Sequence, residues 1–160
     1  MARRIALLLV LVLALTACTS GAIQSGRTRD SSTADFDVTI EQANAPMTMP
    51  GQGSADVRFL ITVKNRTPTP WTIERIALQS MGGGAYALPV RTREFDRVLA
   101  PNAEEQFEFW GTVDLADDPI LTRAPITLRT KLYARGADGS REEEFMQRIN
   151  GRVSVAVGNR

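Results

Sequence analysis

The chain has 160 residues, with 19 Lys and Arg against 18 Asp and Glu, one cysteine and no histidine. A balance this close to neutral lacks the basic surface that nucleic acid requires, so no nucleic-acid partner is expected. The missing histidine removes the commonest general base, pH switch and metal ligand, and a single cysteine cannot close a disulfide within the chain.

The chain opens with a short basic segment, Arg3 and Arg4, and continues with an unbroken apolar run over residues 5–15. A membrane-spanning helix needs about 20 apolar residues, and this run stops short of that. Its length and flanks suit a signal peptide over residues 1–17. Leu15-Thr16-Ala17-Cys18 resembles the bacterial lipobox. The resemblance implies cleavage between Ala17 and Cys18, a diacylglycerol on the Cys18 thiol and an acyl chain on its new amino group. Two or more chains hold a protein on its membrane where one binds only marginally. Thr19 stands where an aspartate would imply retention at the inner membrane, so the resemblance implies a lipid-anchored envelope protein at the outer membrane, facing the periplasm, if the cell has two membranes.

Loss of the signal leaves 17 basic against 18 acidic residues. Residues 18–34 join the lipidated cysteine to a Ser/Thr/Gly-rich stretch with scarcely an apolar side chain. It reads as a flexible tether spanning roughly 20 to 24 Å.

From Asp35 the apolar residues alternate, as they do in half-buried strands. Phe36, Val38 and Ile40 share a face; so do Val57, Phe59, Ile61 and Val63. Pro68 and Pro70 end that strand, and Trp71 with Ile73 begins the next on one parity while Ile76 and Leu78 take the other. The parity switch predicts a bulge near Glu74 or Arg75. Gly82, Gly83 and Gly84 form a loop before a short strand over residues 86–90, and residues 94–99 form an edge piece. Phe107, Phe109, Gly111, Val113 and Leu115 point inward against Gln106, Glu108, Trp110 and Thr112. Ile126, Leu128 and Leu132 alternate with Arg129, Lys131 and Tyr133, and a hairpin at residues 136–140 returns the chain through Phe145 and Ile149. Asn150-Gly151 is a two-residue hairpin signal before Val153, Val155 and Val157, with a bulged continuation of the same strand as the alternative. These elements predict an all-β domain over residues 35–157, an antiparallel immunoglobulin-like β-sandwich of seven to nine strands, with a small barrel as the alternative closure. Residues 158–160 form a tail.

The stretch from Asn65 through Trp71, Ile73 and Ile76 to Pro101 and Phe107, about half of the chain, resembles the late-embryogenesis-abundant type 2, or water-stress, domain. That resemblance implies an immunoglobulin-like sandwich, a role in desiccation tolerance and no catalytic residues. Pro68 and Pro70 lie further beyond Asn65 than in the family pattern.

Three groups of side chains are candidate sites. Arg91, Arg93 and Arg97, with Phe95 between them, offer a row of guanidinium groups to phosphates or cell-wall carboxylates, although charges on an edge strand also prevent edge-to-edge pairing. Trp110, near Glu108 and Thr112, is an outward indole able to anchor a partner. Asp114, Asp117 and Asp118 are weak candidates for a Ca²⁺ site in a loop that lacks a regular ligand ladder. No Ser/His or Cys/His pair exists, and Lys64 and Lys131 are the only lysines. The expectation is therefore a non-catalytic binding or accessory module without a cofactor. It would act on an envelope protein or cell-wall component, with a stress-protective domain or a Ca²⁺ or small-ligand binder as alternatives.

Overall fold

A computed structural model describes residues 34–45, 47–48, 53–116 and 118–155. The signal segment, Ala17, Cys18, the tether up to residue 33, Asp117, residues 156–157 and the tail lie outside the described residues. The strands are β1 (Phe36–Gln42), β2 (Met47–Thr48), β3 (Ser54–Asn65), β4 (Trp71–Met81), β5 (Tyr86–Ala87), β6 (Arg91–Leu99), β7 (Glu104–Leu115), β8 (Pro125–Gly136), β9 (Gly139–Asn150) and β10 (Ser154–Val155). One four-stranded sheet runs β1-β3-β7-β5 and a second runs β6-β4-β8-β9. Every pairing within them is antiparallel. Two such sheets, each apolar on one face, bury those faces against each other as a sandwich.

The alternating residues supply the core. Phe36, Ile40, Val57, Phe59, Ile61, Phe107 and Phe109 come from the first sheet, and Ile73, Ile76, Leu78, Ile126, Leu128 and Leu132 from the second. Trp71 caps one end, its ring meeting Phe36 edge to face with centroids 5.8 Å apart. In β4 the pairing register slips between Ile73 and Arg75 against both β6 and β8. Glu74 is thus the extra residue toward β8, and the bulge moves the inward set from Trp71 and Ile73 to Ile76 and Leu78. Toward β6, Phe95 and Asp96 together oppose Glu74, and Asp96 takes φ 47°, a left-handed conformation that Asp tolerates better than most residues.

Asn65 ties two turns together. Its buried side-chain amide donates to the carbonyls of Thr69 (2.8 Å), Leu99 (3.3 Å) and Ala100 (3.1 Å). Its Oδ1 accepts from the Thr67 backbone N–H and hydroxyl at 2.9 and 2.8 Å. Thr67 in turn accepts the Trp71 indole N–H at 3.1 Å. The second turn, Ala100 to Ala103, closes by a 3.1 Å bond with Pro101 leading and Asn102 at φ 57°, the geometry of a type II turn.

Three expectations change in detail. The strand after the glycines is only Tyr86–Ala87. Leu88 then leaves the first sheet and exchanges bonds with Ser80 of β4, so the chain switches sheets there. Within the glycine loop only Gly84 is packed, since a Cβ there would lie 2.4 Å from Ile126 Cγ2 and 2.7 Å from the Pro125 carbonyl, while one on Gly82 or Gly83 would meet nothing within 4 Å. The Asp-rich turn continues into a 3-10 turn, Pro119–Arg123. Asn150-Gly151 forms no hairpin, because β10 pairs in parallel with β2 rather than folding back on β9. Gly151 is buried where a Cβ would meet Ala85 at 2.7 Å, and both backbone groups of Arg152 are held by Gln42. These contacts draw the chain onward past the core.

Candidate functional site

The margin where β6 lies over β7 brings two of the predicted groups together. Trp110 projects from the outer face of β7 and is 47% exposed. Register places it directly opposite Arg58 of β3, whose guanidinium carbon stands 5.7 Å from the indole centroid. The indole N–H donates to Glu108 Oε1 at 2.7 Å, and the same carboxylate lies 3.7 Å from Arg58. A cation against the ring and a charged acceptor on its N–H limit the rotamers of the indole before any partner arrives. Beside it, Thr112 donates to Asp56 at 2.8 Å.

The arginine row lies against this strand. Arg93 donates to the Glu108 backbone carbonyl at 3.4 Å, Arg97 pairs with Glu105 at 2.6 Å, and a Cβ on Gly111 would stand 3.9 Å from Arg91 Cγ. Phe95 packs edge to face on Phe107 with centroids 4.9 Å apart. The row therefore covers the gap between the two sheets and satisfies part of the β7 edge. All three arginines remain exposed, and an exposed pair such as Arg97–Glu105 contributes about 1 kcal/mol or less.

The carboxylate group does not assemble in the same way. Asp118 caps the 3-10 turn by accepting the Ile120 N–H at 2.9 Å, while Asp114 sits in β7 between Ser54 and Ala87. Among the described residues no group of three or more His, Cys, Asp or Glu side chains converges on a metal position. Glu142 of β9 pairs with Lys131 at 2.7 Å, and Glu143 accepts the N–H of Asp35, just before β1, at 3.2 Å. Among the described residues no helix is long and apolar enough to cross a membrane.

Sequence reading found Trp110 and its neighbour Glu108 but not Arg58. Parity puts Arg58 on the outward face, yet only the register of β3 against β7 sets it opposite Trp110.

Two face-packed antiparallel sheets with these crossovers define an immunoglobulin-like β-sandwich. Among solved structures, the Northeast Structural Genomics Consortium target SoR45 is similar with a TM-score of 0.51 at 10% identity, covering 73% of this chain and 87% of that one. A protein from Archaeoglobus fulgidus gives 0.48 at 8% identity over 75% of this chain and 98% of its own. A PapD-like domain of human CEP192 gives 0.33 at 8% identity over 77% and 87%. No family model and no curated protein matches the chain.

Proposed function

We propose that the chain is a lipid-anchored bacterial envelope protein whose sandwich is a non-catalytic binding or accessory module, docking an envelope protein through the β6–β7 margin. The observation that carries this reading is Trp110, an exposed indole held by Arg58 and Glu108. Tryptophan and arginine are the residues most enriched among those that dominate interface energy, and a side chain ordered beforehand loses less entropy on docking. The lipobox at Leu15 to Cys18 supports the anchor, with diacylglycerol and an N-acyl chain on Cys18 holding the membrane.

The test is crosslinking and pull-down from intact envelopes. One stoichiometric partner, lost with Trp110→Ala and with Arg91→Glu plus Arg93→Glu, is the expected result. Recovery of the same partner with all of these variants would overturn the docking surface. No partner at all, together with desiccation sensitivity on deletion, would favour the stress-protective alternative. For the anchor, mass spectrometry of the mature N-terminus should find an acylated Cys18, and an intact Met1 to Ala17 segment would sink that part.

A further inference from the structure

At the end of the sandwich where β1 finishes and β9 gives way to β10 lies a half-open cleft of about 630 Å³, within the range of small-ligand sites. Arg123 and Arg152 both line it, together with Thr122, Asn150 and Ser154. Among the described residues no carboxylate lines it. Elsewhere on the domain Arg58, Arg66, Arg97, Arg135 and Arg141 each pair with an acidic side chain. Among the described residues Arg123 and Arg152 have no such pair, as is also true of Arg75, Arg91, Arg93, Arg129 and Arg148.

The walls are fixed by contacts outside the cleft. Gln42 accepts the Arg152 N–H at 3.0 Å and donates to its carbonyl at 2.6 Å, while the buried Tyr86 hydroxyl donates to the same Gln42 Oε1 at 3.0 Å. Gly151 is pinned between Ala85 and the Ala124 carbonyl. Arg123, also in the lining, ends the 3-10 turn, which Asp118 caps at its start and the Ala124 N–H closes onto Leu121 at 2.8 Å. Two arginines on braced backbone, in a lining that also includes Thr122, Asn150 and Ser154, supply the residue types that bind the oxygens of an anion accepting several hydrogen bonds at once.

We infer that this cleft is a binding site for a small oxyanion-bearing ligand, a carboxylate or a phosphate, held by Arg123 and Arg152. It lies at the far end of β1 from the Phe36 end, where the chain enters the domain.

The test is a titration of the ¹⁵N-labelled full chain with inorganic phosphate and, separately, with succinate, at constant ionic strength set by sodium chloride. Saturable shifts of the Gly151 and Ser154 amides are expected with at least one anion, and the anion that saturates identifies the source. Arg123→Gln and Arg152→Gln should each weaken binding several-fold and their combination at least tenfold, whereas Arg148→Gln on the outer face of β9 should leave it unchanged. The backbone clamp on Arg152 does not use its side chain, so these variants keep the fold, and unchanged shifts in the remaining amides check this. No saturation with either anion, identical shifts from sodium chloride alone, or equal weakening by Arg148→Gln would overturn the assignment.

Discussion

The side-chain amide of Gln147 bonds both backbone groups of Ile40: its Oε1 accepts the Ile40 N–H at 2.8 Å and its Nε2 donates to the Ile40 carbonyl at 3.1 Å. Gln147 is on β9 and Ile40 on β1, the edge strands of opposite sheets, so one side chain acts as a single-residue ladder between them. Gln42 of β1 does the same to Arg152 beyond β9. The two glutamines close one side of the sandwich, where unpaired edges would otherwise invite association.

Gln147→Ala should therefore destabilise the domain by about 2 kcal/mol, because Ile40 is buried and its N–H and carbonyl are left to find other partners. Gln147→Glu keeps the acceptor for the N–H but sets a carboxylate against the carbonyl, and should be no better than Ala at neutral pH. Urea denaturation followed by tryptophan fluorescence reads both, and an unchanged midpoint for Gln147→Ala would show that the bridge is dispensable.

Asn65→Ala removes a buried amide that joins the β3–β4 turn to the β6–β7 turn. Several carbonyls and the Thr67 N–H lose their partner together, so a loss of about 3 kcal/mol is expected. Hydrogen exchange should speed up in both turns in the same variant. Faster exchange in residues 66–70 alone would contradict the link to Leu99 and Ala100.

Thr130 points into the core from β8, fully buried, and among the described residues its hydroxyl has no hydrogen-bond partner. Val has nearly the same shape without the hydroxyl. Thr130→Val should raise stability by about 1 kcal/mol, since the cost of burying an unpaired polar group disappears. A fall in melting temperature would mean that the hydroxyl has a partner in solution, an enclosed water being the first to look for.

Tyr86 is buried, and that burial pushes its phenol well above the ordinary value of 10.0. The folded chain keeps this proton where the unfolded chain releases it, so the contribution of Tyr86 is complete below about pH 10 and is lost as the pH climbs beyond it. Lys131 acts in the same direction: the hydrogen bond and then the charge of Glu142 raise it, and its stabilising pair fades as pH rises through that raised value. Tyr86→Phe should cost about 1 kcal/mol at pH 7 by removing the bond to Gln42. Between about pH 9 and 11 it should lose less stability than the parent chain. Equal losses in both chains would exclude Tyr86 as the source.

The two-residue alternation of Phe36 to Ile40, Val57 to Val63 and Phe107 to Val113 made the strands and their buried faces legible, because side chains on a strand alternate sides whatever lies beyond it. The parity switch in β4 likewise announced its bulge. Trp110 was legible as outward-facing, but its fixation by Arg58 was not, since parity is local and register belongs to a pair of strands. Asn150-Gly151 shows the same division from the other side: its local preference is a hairpin, yet the crowding of Gly151 against Ala85 and the hold of Gln42 on Arg152 carry the chain toward β2.

By itself, then, the sequence determined an all-β domain of alternating strands without intrachain disulfide or histidine chemistry, because composition and period depend on each residue and its near neighbours alone. Only the tertiary structure decided that the strands close as a sandwich rather than a barrel, what closes the edges, what holds Trp110 and that Arg123 and Arg152 line one cleft. Each of those depends on residues distant in the chain, and their meeting is set by how the two sheets pack rather than by any preference written in one segment.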